Sequence, residues 1–460
     1  MNRFFHLPLK GLLLASMLLT ALLVGCGSQG SSARSAPQGK PSPTTQTPQG
    51  RCPAQAMSKD AGASGVAYTV SWDAVARDAD TNQGVSALHV SALDIVSGKI
   101  VWKKSPVKVA AMYQSSQQQV VDGVLYIASV SSQRSLLLAV DTRDGHALWQ
   151  QEEKQADILR MSICAGKLYL IGQASLQTLR ASDGQVLWSY SDAKASMVDC
   201  VVTTQTASIL LESRSGEGSV SVITLGANDG QVVWKKSYDG QQGWRLSLVG
   251  HEQALYVLKQ VQVTPSQDPM TPVASIQALD GKSGNVIWTA HMPPNMEQIR
   301  VLHIGNTLYL NGQNLLAPNQ LLLLALNASN GKQRWQRQHT YNQITVLSEH
   351  DLYGYKGYGN GDDPQGKKQL CSLDGTTGKD RWCVERLQPS QFSLSATRDM
   401  LIVEETLQPS PMTLVQNIYG VSKHDGKLLW KLPWKSSSTS VVTLTLVTVV
   451  EGQGFASLVG

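Results

Sequence analysis

Apolar residues in this chain fall in short runs bounded by turn residues. Hairpins such as QQQVVDGVLYIAS, ILRMSICAGKLYLIG, IRVLHIGNTLYLNG and ITVLSEHDLYGYK recur, with tight turns at Asp122-Gly123, Ala165-Gly166 and Gly305-Asn306. Each is followed by a second hairpin whose outgoing strand carries a tryptophan. Runs such as SLLLAVD and QLLLLALN are apolar at consecutive positions, which predicts strands covered on both faces. A sheet with one solvated face would alternate instead.

The second hairpin is a repeat. ALDIVSGKIVW ends at Trp102, AVDTRDGHALW at Trp149, TLRASDGQVLW at Trp188 and TLGANDGQVVW at Trp234. ALDGKSGNVIW, ALNASNGKQRW, SLDGTTGKDRW and GVSKHDGKLLW follow, ending at Trp288, Trp335, Trp382 and Trp430. A glycine stands four residues before each of these eight tryptophans: Gly98, Gly145, Gly184, Gly230, Gly284, Gly331, Gly378 and Gly426. Asp or Asn can accept backbone N–H bonds across a turn, and Gly takes the positive φ that the connection needs. Strict alternation along the strand then puts Gly98, Ile100 and Trp102 on one face, with Lys99, Val101 and Lys103 on the other. Successive tryptophans are 47, 39, 46, 54, 47, 47 and 48 residues apart, matching the roughly 40–50 residues of a four-stranded propeller blade. The predicted fold over residues 61–460 is therefore all-β: an eight-bladed β-propeller of four-stranded antiparallel blades. The first repeat lacks an inner strand, so the surplus strands in SVVTLTLVTVVEG and GFASLVG are expected to close the ring.

The first residues have another character. Arg3 and Lys10 precede GLLLASMLLTALLVG, an apolar run of secretory-signal length. It ends at Leu23-Val24-Gly25-Cys26, which resembles the lipobox of bacterial lipoproteins. The resemblance implies cleavage of residues 1–25 and acylation of Cys26. Residues 26–60 are rich in Ser, Pro, Gln and Thr, too poor in large apolar side chains to repay ordering, and read as a disordered lipidated tether. Two or three acyl chains would hold the protein on a membrane. The destination membrane stays open, because Gly27 gives no retention signal.

Composition narrows the function. A net charge of +5 with 16% charged residues excludes a nucleic-acid-binding balance. There is no H-E-x-x-H, G-x-S-x-G, C-x-x-C or P-loop, so no catalytic residue or metal ligand is assigned and the chain is not expected to be an enzyme. Gly357 to Asp363 reads as an acidic loop, and His146 and His424 as solvated turn residues. Beyond Cys26, Cys371 and Cys383 flank one hairpin and can form a cross-strand disulfide if the register brings them together. Cys164 and Cys200, on the first strands of consecutive repeats, form a second candidate pair, which would leave Cys52 unpaired.

The A-x-D-x-x-[ST]-G-x-x-x-W template resembles that of pyrroloquinoline-quinone-type propellers, in which the tryptophan docks one blade onto the next. Arg180, Gly226 and Ser422 depart from it at the Asp position. With a lipobox, a polar tether and short blades, the chain is most similar to the propeller lipoproteins of the outer-membrane β-barrel assembly machinery. That similarity implies a non-enzymatic scaffold, monomeric, with no cofactor, meeting envelope or membrane proteins through one face outside the cytoplasm. Quinone-dependent dehydrogenases share the repeat and imply pyrroloquinoline quinone with Ca²⁺, often beside a vicinal disulfide; no Cys-Cys pair occurs here. A ligand-binding or sensor lipoprotein is the third reading. The second-to-third connections vary most, in QVQVTPSQDPMTPVAS, YKGYGNGDDPQGKKQ and EETLQPSPMTLVQN, and they emerge on one face. Candidate contacts there are Trp244, Met270, Tyr355, Tyr358, Asp362, Asp363 and Met412.

Overall fold

A computed structural model describes the chain between residues 66 and 459, apart from breaks in the connections, the longest of them 262–273 and 357–368. Residues 1–65, with Cys26 and the tether, lie outside the described residues. All regular elements described are strands.

Consecutive strands pair antiparallel into seven four-stranded sheets and one five-stranded sheet, as in a β-propeller. We number the sheets along the chain. First strands of neighbouring sheets lie against one another, for example Ala195–Val202 against Trp244–His251, so first strands are the inner ones. The expectation of uniform four-stranded blades is corrected at the C-terminus. Thr445–Thr448 pairs with Val66–Arg77 and gives the first sheet the inner strand it lacks. The last strand finds no such vacancy: Ala456–Val459 adds to Tyr341–Val346 and makes the seventh sheet five-stranded.

The repeat's tryptophan and glycine meet across neighbouring sheets. A Cβ built on Gly145 would lie 2.6 Å from the Trp102 ring, and one on Gly230 or Gly331 equally close to Trp188 or Trp288. Gly284, Gly378 and Gly426 face Trp234, Trp335 and Trp382 in the same way, and Gly184 faces Trp149 and Gln151. Each indole Nε1 donates to a turn carbonyl of the next sheet: Trp102 to Thr142, Trp149 to Ala181, Trp188 to Ala227 and Trp234 to Gly281. Trp288, Trp335 and Trp382 donate to Ala328, Gly375 and Lys423 at 2.9–3.1 Å. These glycines are needed twice over, for φ near +70° and for room under an indole. Gly98 lies outside the described residues.

A β-bulge aims the indole, and it overturns the simple alternation expected for this strand. Trp102 is in register with Ala92 but Ile100 with Leu93, so Val101 is extra, and Ile100 and Trp102 lie on opposite faces. The same slip precedes the other seven tryptophans. An unpaired residue bends and twists a strand, turning the indole toward the neighbouring sheet. It also leaves the aliphatics before the tryptophan exposed, as at Val101, Leu187, Val233, Ile287 and Leu429.

The departures at Arg180, Gly226 and Ser422 leave the turn intact because the backbone closes it: Gly184, Gly230 and Gly426 N–H groups donate to their carbonyls at 2.8–2.9 Å. Where the first residue is acidic it caps the turn, as Asp280 does for Ser283 N and Asp374 for Thr376 N. Elsewhere the acid just before the glycine accepts instead, Asp183 from Gln185 N and Asp229 from Gln231 N.

Candidate interaction face

Strand direction divides the connections. First-to-second and third-to-fourth turns emerge on one face, while second-to-third connections and the links between sheets emerge on the other. The expected contact residues fare unevenly on this second face. Met270, Tyr358, Asp362, Asp363 and Met412 lie outside the described residues. Trp244 opens an inner strand, in register with Val261 beside the 262–273 connection. Tyr355 is a correction: it is buried, packed in a core with Tyr353, Leu370, Leu401 and Val421, because the second strand of the seventh sheet runs on through it. The eighth connection is also shorter than the sequence suggested. Met400–Ser410 and Thr413–Ser422 pair down to Ser410 and Thr413, so most of EETLQPSPMTLVQN is hairpin.

The inner strands are stitched by side chains. Gln117 of the second sheet accepts from Met161 N at 2.6 Å and donates to Leu159 O, both in the third. Arg160 reaches the fourth sheet, donating to Asp199 Oδ1 at 3.0 Å and to Cys200 O. Asp199 Oδ1 also accepts from Cys200 N, and its Oδ2 accepts from Leu248 N of the fifth sheet, each at 2.8 Å. One carboxylate therefore joins three sheets. From the second strand of the fifth sheet, Gln260 repeats the amide stitch to the sixth, donating to Ile299 O at 2.7 Å and accepting from Ile299 N at 2.5 Å.

Beside these stitches, Leu159 and Val198 stand 54% exposed. Val198 is the unpaired residue of a bulge between Met197 and Asp199, which turns it out of the sheet. Two apolar side chains are thus presented beside a polar frame on the inner strands. Sequence reasoning missed both; the available signal was an aliphatic directly before an oppositely charged residue, Leu159-Arg160 and Val198-Asp199, in consecutive first strands. Removing the Asp199 carboxylate strands Arg160, Cys200 N and Leu248 N together. Asp199→Ala is expected to cost about 2 kcal/mol, and Asp199→Asn less, read from urea unfolding.

Cys371 and Cys383 are directly opposite in register and form a disulfide. The expected Cys164–Cys200 bond is not formed: Cys200 is a free, buried thiol, and Cys164 is disulfide-bonded to a partner outside the described residues. Burial pushes the Cys200 thiol up to about 12, against the smaller opposing pull of Arg160. It stays protonated and a poor nucleophile.

The repeated docking of Trp on Gly defines a β-propeller of pyrroloquinoline-quinone-like repeats. The chain belongs to the family described as outer membrane protein assembly factor BamB, which matches residues 86–242 and 214–351, more than half of its length. No curated protein matches the sequence. Among solved structures, BamB from Moraxella catarrhalis is 13% identical, with a TM-score of 0.46 over 73% of this chain and 97% of that one. Quinohemoprotein alcohol dehydrogenase ADHIIG from Pseudomonas putida HK5 is 14% identical, with a TM-score of 0.47 over 69% of this chain. The chain spans 66% of that dehydrogenase's length.

A quinone with Ca²⁺ would require oxygen ligands free to turn toward a cation. Asp199, an inner-strand carboxylate, has both oxygens committed. The one group of three potential ligands among the described residues is Cys371, Asp380 and Cys383, whose sulfurs are bonded to each other. Neither Asp199 nor this group offers a free set of oxygen ligands for that cofactor.

Proposed function

We infer that this protein is a non-enzymatic interaction scaffold of the bacterial envelope, acylated at Cys26 and tethered outside the cytoplasm, with no cofactor of its own. The observation that carries this reading is the set of inner-strand contacts joining the second to fifth sheets. Gln117, Arg160 and Asp199 there are engaged in joining sheets, while Leu159 and Val198 are left exposed beside them. Rigid presentation of apolar side chains lowers the ordering cost of binding. Family membership supports the same class of role. In this reading eight blades close into one ring, with Trp430 docking on the first repeat's turn as its counterparts dock on theirs, and the propeller acts as a monomer.

The test has two parts. Cys26→Ala is expected to move the protein from the membrane fraction to the soluble fraction. A photo-crosslinking residue placed at Leu159 or Val198 in cells is expected to give discrete adducts with envelope proteins, absent when it is placed at Leu148 on an outer strand. Identical adducts at all three positions would remove these inner-strand positions from consideration. Unchanged fractionation would remove the lipid anchor.

A further inference from the structure

The inner edge of the seventh sheet is occupied by a later strand of the same chain. Ala456–Val459 runs antiparallel to Tyr341–Val346, with Val459 opposite Gln343, Leu458 opposite Ile344, Ser457 opposite Thr345 and Ala456 opposite Val346. It also lies against the inner strand Met296–Ile304 of the sixth sheet. In the second to sixth sheets and the eighth, the first strand of the repeat is the last strand inward. The seventh sheet therefore has an edge that takes an additional strand.

Two features make the occupant exchangeable. Its ladder is four residues long, short enough for local opening to cost little. Its contribution to the sheet is main-chain pairing, which any extended segment can supply, since strand addition draws affinity from the backbone and specificity from alternate side chains. Ile344, fully buried at the position opposite Leu458, sets the one clear preference, for an apolar residue there. Replacing one four-residue ladder by another leaves the remainder of the sheet unchanged. An edge left bare would expose unpaired N–H and C=O groups, so the resident strand protects the site while no partner is bound.

We propose that the inner edge of Tyr341–Val346 is a strand-accepting site for an extended segment of another protein, apolar at the position facing Ile344, and that Ala456–Val459 is its displaceable resident. This goes beyond the scaffold reading and uses a different surface from Leu159 and Val198, so its failure leaves that reading standing.

The probe is a fluorescent synthetic peptide of residues 453–460, QGFASLVG. It is titrated into the protein from residue 27 onward, into the same protein ending at Gly452, and into full-length protein carrying Leu458→Asp, which loosens the resident strand without shortening the chain. Both altered proteins are expected to bind the peptide saturably and at least tenfold tighter than the unaltered one. A peptide with Asp at the Leu458 position is expected to lose at least tenfold in affinity. Equal binding to all three proteins overturns the proposal, as does absence of binding to altered proteins that melt like the original. Failure of both altered proteins to fold overturns it too, because the strand is then integral. A full-length dimer that truncation abolishes overturns it in favour of strand exchange between copies.

Discussion

Trp188→Ala is expected to destabilise the protein by about 3–5 kcal/mol, the range for truncating a buried indole. Trp188 is 8% exposed, donates to Ala227 O at 3.1 Å and meets Tyr169 edge-on at a centroid distance of 6.1 Å. The alanine loses the contact between the third and fourth sheets, the hydrogen bond and the aromatic pair at once. Gly230→Ala acts on the other side of the same contact. It must hold an alanine at φ +68° and fit a Cβ 2.6 Å from Trp188 Cε3, so its cost combines about 1 kcal/mol or more of backbone strain with displacement of the indole. The two changes should not add. With Trp188 already reduced to alanine, nothing opposes the new Cβ, and Gly230→Ala should then cost only the backbone strain. Denaturant unfolding of the four proteins measures the coupling, and amide exchange in Val186–Ser191 shows whether the loss is local. Strictly additive losses would mean that the indole and the glycine do not share one contact.

The repeat was legible because the same physical demand recurs at each junction. An indole needs a partner without a Cβ, and that partner needs a positive φ, so Trp and Gly at a fixed spacing record both ends of a contact between neighbouring sheets. The small residue opposite each tryptophan belongs to the same pattern: Ala92, Ala139, Thr178, Thr224, Ala278, Ala325, Ser372 and Gly420 are in register with the eight indoles. The bulge before the tryptophan was not legible, because an extra residue in one strand is visible only against its partner, and the sequence of that one strand continues to alternate plausibly. Tyr355 was misplaced for a related reason. The glycines and tyrosines of YKGYGNG look like loop, yet Asp351–Lys356 pairs through its whole length with Gln369–Asp374 and carries Tyr355 into the core. The stitches at Asp199 and Gln117 join residues tens of positions apart through single side chains, and a lone polar residue in a strand gives no sign of which sheet it will reach. The cysteines show the limit from another side. Cys371 and Cys383 share a hairpin, so their register follows from the turn, whereas pairing Cys164 with Cys200 required a distance between neighbouring blades that no local pattern fixes.

Raising the pH should unfold the protein between about pH 10 and 12, through the tyrosines that lie against the docking tryptophans. Tyr126 and Tyr256 pair with Trp149 and Trp288 at centroid distances of 6.2 and 5.9 Å. Burial pushes both phenols up to about 12 from an ordinary value of 10.0, aided at Tyr126 by the nearby Asp122 carboxylate. Tyr169 and Tyr353, against Trp188 and Trp382, are raised further, again chiefly by burial. A phenol that ionises less readily in the folded chain than in the unfolded one costs nothing below pH 10, where both forms are neutral. Above it the unfolded chain gives up its protons first, and stability falls until the pH reaches the folded value. A shift of this size corresponds to about 3 kcal/mol for each of Tyr126 and Tyr256, and several such groups together are comparable to the net stability of an ordinary domain. Tyr169→Phe separates this mechanism from general alkaline damage. The Tyr169 hydroxyl has no hydrogen-bond partner among the described residues, so its removal should leave stability at pH 7 unchanged or slightly higher. At pH 11 the same variant should be more stable than the parent, and the gap should widen with pH. If parent and variant lose stability in parallel above pH 10, ionisation of the buried phenol at Tyr169 is not what unfolds the protein.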